Sequence, residues 1–210
     1  MNHVSRRIGW LVKGSVVLAV ACGVALSAGA LAGTGAANDA TYQRIYTRVV
    51  PAAGTETAYG IPLALASLPQ FIAWRDMIVL TAAQAQTFHD ALVEIPAPCC
   101  DDETAFQCCC EKSGQRCNIV TSAKGLAAYL IETKDYSIDE TKAAVVQWLT
   151  FARPDYYMAK ALGAEGIDPS VYSLTTQGSC YRGLCETPIS QGGCGGMGKL
   201  IEPAIEGSKI

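Results

Sequence analysis

A dense run of cysteines between Pro96 and Val120 constrains the fold of this chain more than any other feature. The chain has 210 residues and 10 cysteines, and more than half of the cysteines lie in this segment. A buried free cysteine acts only as a small hydrophobic residue, so an ordinary core does not need thiols this close together. The segment is therefore either a disulfide staple or a metal site, and its cysteines are Cys99, Cys100, Cys108, Cys109, Cys110 and Cys117.

The N-terminus has the pattern of an export signal. Gly14 to Gly33 is a run of 20 residues without a charge, which is long enough to span a bilayer. Arg6, Arg7 and Lys13 precede it, and this charge bias keeps the N-terminus in the cytoplasm. The segment 1–37 is either a cleaved signal peptide or a retained transmembrane helix. Both alternatives place the rest of the chain on the periplasmic or extracytoplasmic face of the membrane.

The tail from 166 to 210 is the second region rich in cysteine, and it is also rich in glycine. Its run Gly-Gly-Cys-Gly-Gly-Met-Gly at 192–198 is too rich in glycine for a stable helix. Cys22 lies in the apolar leader, and the other cysteines face an oxidising compartment, where disulfides are the expected state. This interpretation predicts four bridges and one free thiol, with disulfide candidates that include Cys180, Cys185 and Cys194.

The alternative interpretation is a metal centre in the cysteine segment. Adjacent cysteines do not easily bond to each other, so the doublet and the triplet leave thiols pointing in several directions. Soft thiolates with a nearby thioether, such as Met197, favour monovalent copper or another soft metal ion. Zinc is less favoured because the chain has no C-x-x-C pair, and the same absence excludes thioredoxin-like exchange and c-type haem attachment. The candidate metal ligands are Cys99, Cys100, Cys108, Cys109, Cys110 and Cys117.

The body of the chain has the pattern of a small all-α domain. Thr81 is placed to cap a helix over 82–95, and Ser122 to cap a helix that runs to Thr133. Ser137 and Glu140 form a capping box for a helix that runs to Arg153. The predicted organisation is a leader at 1–37, a tether at 38–67, a helical domain at 68–165 with the cysteine segment, and the tail at 166–210.

Several function classes are excluded or lack a motif. A net charge of −3 with scattered basic residues argues against a nucleic-acid partner. His89 is the one histidine beyond residue 3, and a lone helical histidine is more often structural than the base of a Cys–His pair. No phosphate loop, dinucleotide fingerprint or Ser-His-Asp order is present. The sequence therefore favours a protein without catalytic activity.

One family resemblance rests on the cysteine segment and the helices that follow it. Pro98-Cys99-Cys100, the triplet at 108–110 and Cys117-Asn118 resemble the exported bacterial proteins named for a PCYCGC motif. The similar stretch covers 95–151, although the Cys-Tyr-Cys-Gly-Cys core is absent from it. The resemblance implies an exported, cysteine-rich protein with a capacity for metal binding, and it implies no particular activity.

Two functions follow as hypotheses. The first is an exported, membrane-tethered, non-catalytic protein that binds copper or another soft metal ion. The alternative is an accessory subunit of a respiratory or photosynthetic membrane complex, with its N-terminal helix beside larger subunits and its domain on the periplasmic face. Small residues along the apolar run permit close helix packing, but they equally suit a signal peptide.

Overall fold

The computed structural model describes residues 39–100 and 103–202. This part of the chain is helical, as expected, and it contains no strand beyond two isolated bridges. None of its helices is long and apolar enough to cross a membrane, and the apolar run at 14–33 lies outside the described residues. The helices are α1 (Ala40–Val49), α2 (Leu68–Met77), α3 (Ala82–Leu92), α4 (Cys109–Lys112), α5 (Asn118–Lys134), α6 (Ile138–Ala152) and α7 (Pro154–Ala164).

Helix α5 is the centre of the domain, and α2, α3 and α6 pack around it. Its first eleven residues, 118–128, are all buried. Gly125 lets α2 approach closely, because a Cβ atom built there would lie 1.6 Å from the carbonyl oxygen of Phe71. Trp148 of α6 is fully buried and meets the Phe71 ring edge-on at 4.9 Å. The core thus forms where a glycine allows backbone contact and two aromatic rings fill the space beside it.

Capping residues start two helices where the sequence predicts them. Thr81 and Gln84 form a capping box at α3, and Ser137 and Glu140 form one at α6. Helix α3 ends at Leu92, earlier than the predicted residue 95. The prediction that Ser122 is an N-cap is wrong. The helix already begins after Cys117, so Ser122 lies inside it. The Ser122 hydroxyl instead accepts a 3.0 Å hydrogen bond from the indole N–H of Trp148.

Residues 40–49 of the segment predicted as a tether form α1, which packs on α7. Asp39 caps α1 by accepting hydrogen bonds from the backbone N–H groups of Thr41 and Tyr42 at 2.8 and 3.0 Å. Ile45 is fully buried in a second small core with residues of α7 and of the 3₁₀ turn Pro169–Tyr172. The start of the described chain is therefore fastened to the end of the helical domain.

Candidate metal centre

The cysteine segment folds into a compact loop that leads into the short helix α4. Pro96 and Thr104 form an isolated bridge, and the amide of Ala105 donates to the carbonyl of Ile95 at 2.7 Å. Cys108 then occupies the N-cap of α4. Of the acids in this loop, Asp101 and Asp102 lie outside the described residues, and Glu103 pairs with Lys112 at 2.6 Å. Glu103 thus acts as an ion-pair partner at the surface of the loop.

A partly buried ion pair fixes α4 against α5. The ammonium of Lys124 lies 2.5 Å from the Glu111 carboxylate, and only 6% of the Lys124 side chain is exposed. The same carboxylate accepts a hydrogen bond from the amide of Cys108 at 3.4 Å. A buried lysine is costly unless it is paired, so this contact stabilises one position of α4 relative to α5.

Two disulfides close loops beside the cluster of free thiols. Cys100 pairs with Cys109, with their Cα atoms 6.0 Å apart, and Cys180 pairs with Cys185 at 4.6 Å. The described residues therefore hold two bridges where the disulfide interpretation predicts four. The remaining described cysteines are free, and each of them is buried: Cys99, Cys108, Cys110, Cys117 and Cys194.

The free thiols converge on one place although they come from distant parts of the chain. The Sγ atoms of Cys99, Cys117 and Cys194 all lie within 4.8 Å of one another. Each of these three residues is 0% exposed. Three sulfur atoms at this spacing can share one ion after small side-chain rotations, since metal–sulfur bonds are about 2.3 Å long.

Cys108, Cys110 and Met197 extend this group. The thiol of Cys108 interacts electrostatically with the thiols of both Cys110 and Cys99. The Sγ of Cys110 lies 3.4 Å from the thioether sulfur of Met197. We use the name sulfur cluster for these five free cysteines and the methionine: Cys99, Cys108, Cys110, Cys117, Cys194 and Met197.

Hydrogen bonds among the thiols spread their pKa values. The pKa of Cys108 falls to about 3, mainly because its sulfur accepts hydrogen bonds from Cys110 and Cys99. The pKa of Cys117 is also lowered, mainly by a hydrogen bond from Cys110. The hydrogen bond to Cys117 raises the pKa of Cys194 to about 12. The pKa values of Cys99 and Cys110 rise, in both cases mainly through the hydrogen bond to Cys108. Thiolates, the form that binds metals, are thus favoured at two of the sulfur atoms.

Asn118, which the sequence does not predict as a site residue, holds the glycine-rich tail over the cluster. Its side-chain amide donates to the carbonyls of Gly195, Gly196 and Lys199 at 3.0, 3.3 and 3.1 Å. Its side-chain oxygen accepts from the amide of Ile201 at 2.8 Å. This fully buried side chain thereby keeps residues 194 and 197 beside the cysteine segment.

Comparison with known proteins gives no family for the chain. No family model matches it, and no curated protein or solved structure does so either. The resemblance to PCYCGC-motif proteins therefore stays a prediction, and the site has to be interpreted from its own geometry.

The structure separates the sequence-predicted ligands into two groups. Cys99, Cys108, Cys110 and Cys117 are free members of the sulfur cluster, whereas Cys100 and Cys109 form a bridge beside it. The Sγ atoms of Cys100, Cys109 and Cys110 also lie within 4.8 Å of one another.

The disulfide candidates of the tail divide in the same way. Cys180 and Cys185 are paired, and Cys194 is a free thiol of the cluster. The Sγ of Cys180 lies 3.7 Å from the Sγ of Cys194 and 3.9 Å from the sulfur of Met197. The tail bridge therefore touches the cluster as directly as the bridge in the cysteine segment does.

His89 occupies a position that suits a structural role. Its Nδ1 lies 2.8 Å from the carboxylate of Asp90, and its ring packs edge-on against Phe106 at 4.6 Å. The imidazole is thus held by an acid of its own helix and by an aromatic ring of the cysteine segment.

Proposed function

We propose that this protein binds a soft metal ion in the sulfur cluster, and that this ion is monovalent copper. The observation that carries the proposal is the convergence of five free, buried cysteines and one thioether. If the segment were only a staple, these thiols would be expected to pair, as those of Cys100 and Cys109 do.

The donor set favours monovalent copper over zinc. Thiolate and thioether donors together are typical of Cu(I) sites, whereas protein zinc sites use thiolate, imidazole and carboxylate donors. Met197 adds a thioether in contact with Cys110. His89 is engaged with Asp90 and Phe106. Sulfur is therefore the donor atom that this site supplies.

The number of sulfur atoms favours a cluster of several ions. A single Cu(I) ion is satisfied by two or three soft donors, whereas the sulfur cluster contains five thiols and one thioether. The contacts link the trio of Cys99, Cys117 and Cys194 to Cys108 and Cys110 without a break. Bridging thiolates would join neighbouring ions in such an arrangement. We therefore expect more than one Cu(I) per chain.

We further propose that the protein lies outside the cytoplasm and has no catalytic activity. The segment 1–37, with the pattern of a signal peptide or a membrane anchor, supports export, and two disulfides are in keeping with an oxidising compartment. The protein would hold or deliver copper outside the cytoplasm without transforming a substrate. The alternative role, as an accessory subunit of a membrane complex, stays a prediction.

Anaerobic titration of the full chain with Cu(I) tests the proposal. We expect tight uptake with charge-transfer absorption from copper–thiolate bonds, and retention of copper against an excess of Zn(II). A variant with serine at Cys99, Cys117 and Cys194 should lose this uptake. The matched control replaces the bridged pair Cys180 and Cys185 by serine, which removes no free thiol from the cluster.

Two results would contradict the proposal. One is a wild-type chain that takes up no Cu(I) while its free thiols remain reactive after unfolding. The other is full copper uptake by the triple serine variant, which would show that the cluster is not the site.

A further inference from the structure

A buried arginine lies between the two segments that supply the sulfur cluster. Arg153 is 0% exposed, although it sits at the junction of α6 and α7. Arginine remains protonated in proteins, so this side chain brings a positive charge into the interior. Such a charge is costly unless every donor finds a partner, and the partners indicate what the residue does.

The guanidinium of Arg153 holds both ligand-bearing segments. One terminal nitrogen, Nη1, donates to the carbonyl oxygen of Pro98 at 3.3 Å and to the hydroxyl of Ser179 at 2.7 Å. Pro98 directly precedes Cys99. The amide of Cys180 in turn donates to the carbonyl of Cys99 at 3.2 Å. One donor group thereby joins the cysteine segment to the tail.

Ser179 carries this contact to a sulfur atom of the cluster. Its hydroxyl oxygen lies 3.2 Å from the Sγ of Cys194, and the residue is 0% exposed. Through this hydroxyl and through the carbonyl of Pro98, Arg153 fixes the two cysteines Cys99 and Cys194, which come from distant parts of the chain.

The charge of Arg153 is only partly neutralised by its acidic partner. The carboxylate of Asp155 accepts hydrogen bonds from Nε and Nη2 of Arg153 at 3.1 and 2.9 Å. The same carboxylate also accepts from Arg182 at 3.3 Å. Two guanidinium groups share one carboxylate, so a net positive charge remains beside the thiols. It interacts electrostatically with the thiolate forms of Cys194 and Cys99.

We infer that Arg153 is the positioning residue of the sulfur cluster, which aligns Cys99 with Cys194 and offsets the negative charge of the metal-loaded thiolates. This inference rests on the proposed function. A Cu(I) ion bound by three thiolates carries a net negative charge, so a buried cation beside it should favour the loaded state.

Three substitutions test the inference through Cu(I) affinity, measured by competition with a chromophoric chelator. Arg153→Met should weaken Cu(I) binding by about 10- to 100-fold, since it removes charge-assisted hydrogen bonds and the buried charge. Arg153→Lys should recover part of the loss because it keeps the charge. Ser179→Ala should cause a smaller loss, since only the link to Cys194 is removed.

The control variant is Arg182→Met, which removes an ion pair with the same carboxylate but no hydrogen bond to Pro98 or Ser179. A purely structural role would make Arg153→Met and Arg182→Met weaken copper binding in proportion to their effects on stability. Equal copper affinities for Arg153→Met, Ser179→Ala and the wild type would overturn the inference. Ser179→Ala keeps the test informative if the arginine variants do not fold.

Hydrogen exchange of the metal-free protein separates this inference from the proposed function. The amide of Cys180 should exchange faster in Arg153→Met and stay protected in Arg182→Met, whether or not copper binds. A wild-type chain that binds no Cu(I) refutes the proposed function alone, and unchanged protection at Cys180 in Arg153→Met refutes the positioning role.

Discussion

The sulfur of Cys110 lies 3.4 Å from the thioether of Met197, a residue 87 positions later in the chain. This contact closes the sulfur cluster on its tail side. The backbone supports it, because Cys117 and Met197 form an isolated bridge and the amide of Gly198 donates to the carbonyl of Arg116 at 2.9 Å. The methionine is therefore placed as a donor by main-chain contacts as well as by its own side chain.

Replacing Met197 by leucine tests whether the thioether is a ligand. The exchange keeps the side-chain volume, so the free energy of unfolding should change by less than about 1.5 kcal/mol. Loss of one weak sulfur donor should lower the Cu(I) affinity by about tenfold, which equals ~1.4 kcal/mol. Met158→Leu is the control, because Met158 is buried in the second core with α1. Equal affinities of the two variants would remove Met197 from the ligand set.

Asn118→Ala should release the tail from the cysteine segment. The substitution removes the side-chain hydrogen bonds to the backbone of residues 195–201, so three buried or partly buried carbonyl groups and one amide lose their partner. The free energy of unfolding should fall by about 2–4 kcal/mol. Amide exchange over 194–201 should accelerate, and Cu(I) binding should weaken because Cys194 and Met197 leave the cluster. Gln177→Ala, at an exposed position of the same tail, is the control. An unchanged exchange pattern in Asn118→Ala would show that Asn118 does not hold the tail on the cysteine segment.

Local sequence chemistry predicts the helices well and the site only in part. The capping box at Ser137 and the proline after Arg153 determine helix ends through contacts within a few residues, so they can be identified in the sequence. The start of α5 cannot be identified in this way. Its first residue, Asn118, is bonded to a tail that lies far along the chain. Ser122 has the chemistry of a cap, but tertiary packing against Trp148 decides its place.

The sulfur cluster also could not be predicted in full from the sequence. The composition indicates that the cysteines form a site or a staple, but it does not tell which of them are paired. Cys99 is free, whereas the adjacent Cys100 forms a disulfide. Which sulfur atoms meet depends on how the tail folds back over the loop. Arg153 shows this most clearly, because in the sequence it only ends a helix, whereas in the structure it joins both ligand-bearing segments.

Reduction of the disulfides should increase the copper capacity of the protein. A dithiol reductant gives two electrons and two protons to each S–S bond, which yields two thiols while the reductant forms its own disulfide. The bridge of Cys100 and Cys109 borders Cys110, and Cys180 lies 3.7 Å from Cys194. The copper-to-protein ratio, measured by elemental analysis after gel filtration, should therefore exceed that of the disulfide-intact protein. A variant with serine at Cys180 and Cys185 should gain less on reduction. An unchanged ratio in the wild type would show that the bridged cysteines are only staples.

Gly125→Ala should strongly destabilise the helical core. The new methyl group would meet the carbonyl of Phe71, and a backbone atom of a packed helix cannot rotate away. The free energy of unfolding should fall by about 3 kcal/mol or more, although alanine favours helix by about 1 kcal/mol. Gly163→Ala is the matched control in α7, because a Cβ there has no neighbour within 4 Å. Urea denaturation should show the control at or above wild-type stability, and similar losses in both variants would refute the close-contact explanation.

The contact of α1 with the end of α7 should weaken in acid. Glu165 is paired with Arg44 and Arg48, and the hydrogen bond from Arg44 is the main reason why the pKa of Glu165 lies at about 2, below its ordinary 4.5. Because the pKa is lower in the folded protein, the pairing contributes its full stabilisation of the folded state above pH 4.5. This contribution is lost as the pH falls through about 2. The effect should be small and sensitive to salt, since the arginine side chains are exposed. Thermal unfolding of the wild type and of Glu165→Gln checks this. The wild type should have the higher Tm at pH 6, and the two should converge near pH 2. A difference in Tm that stays constant across this range would mean that the carboxylate charge of Glu165 does not hold α1 in place.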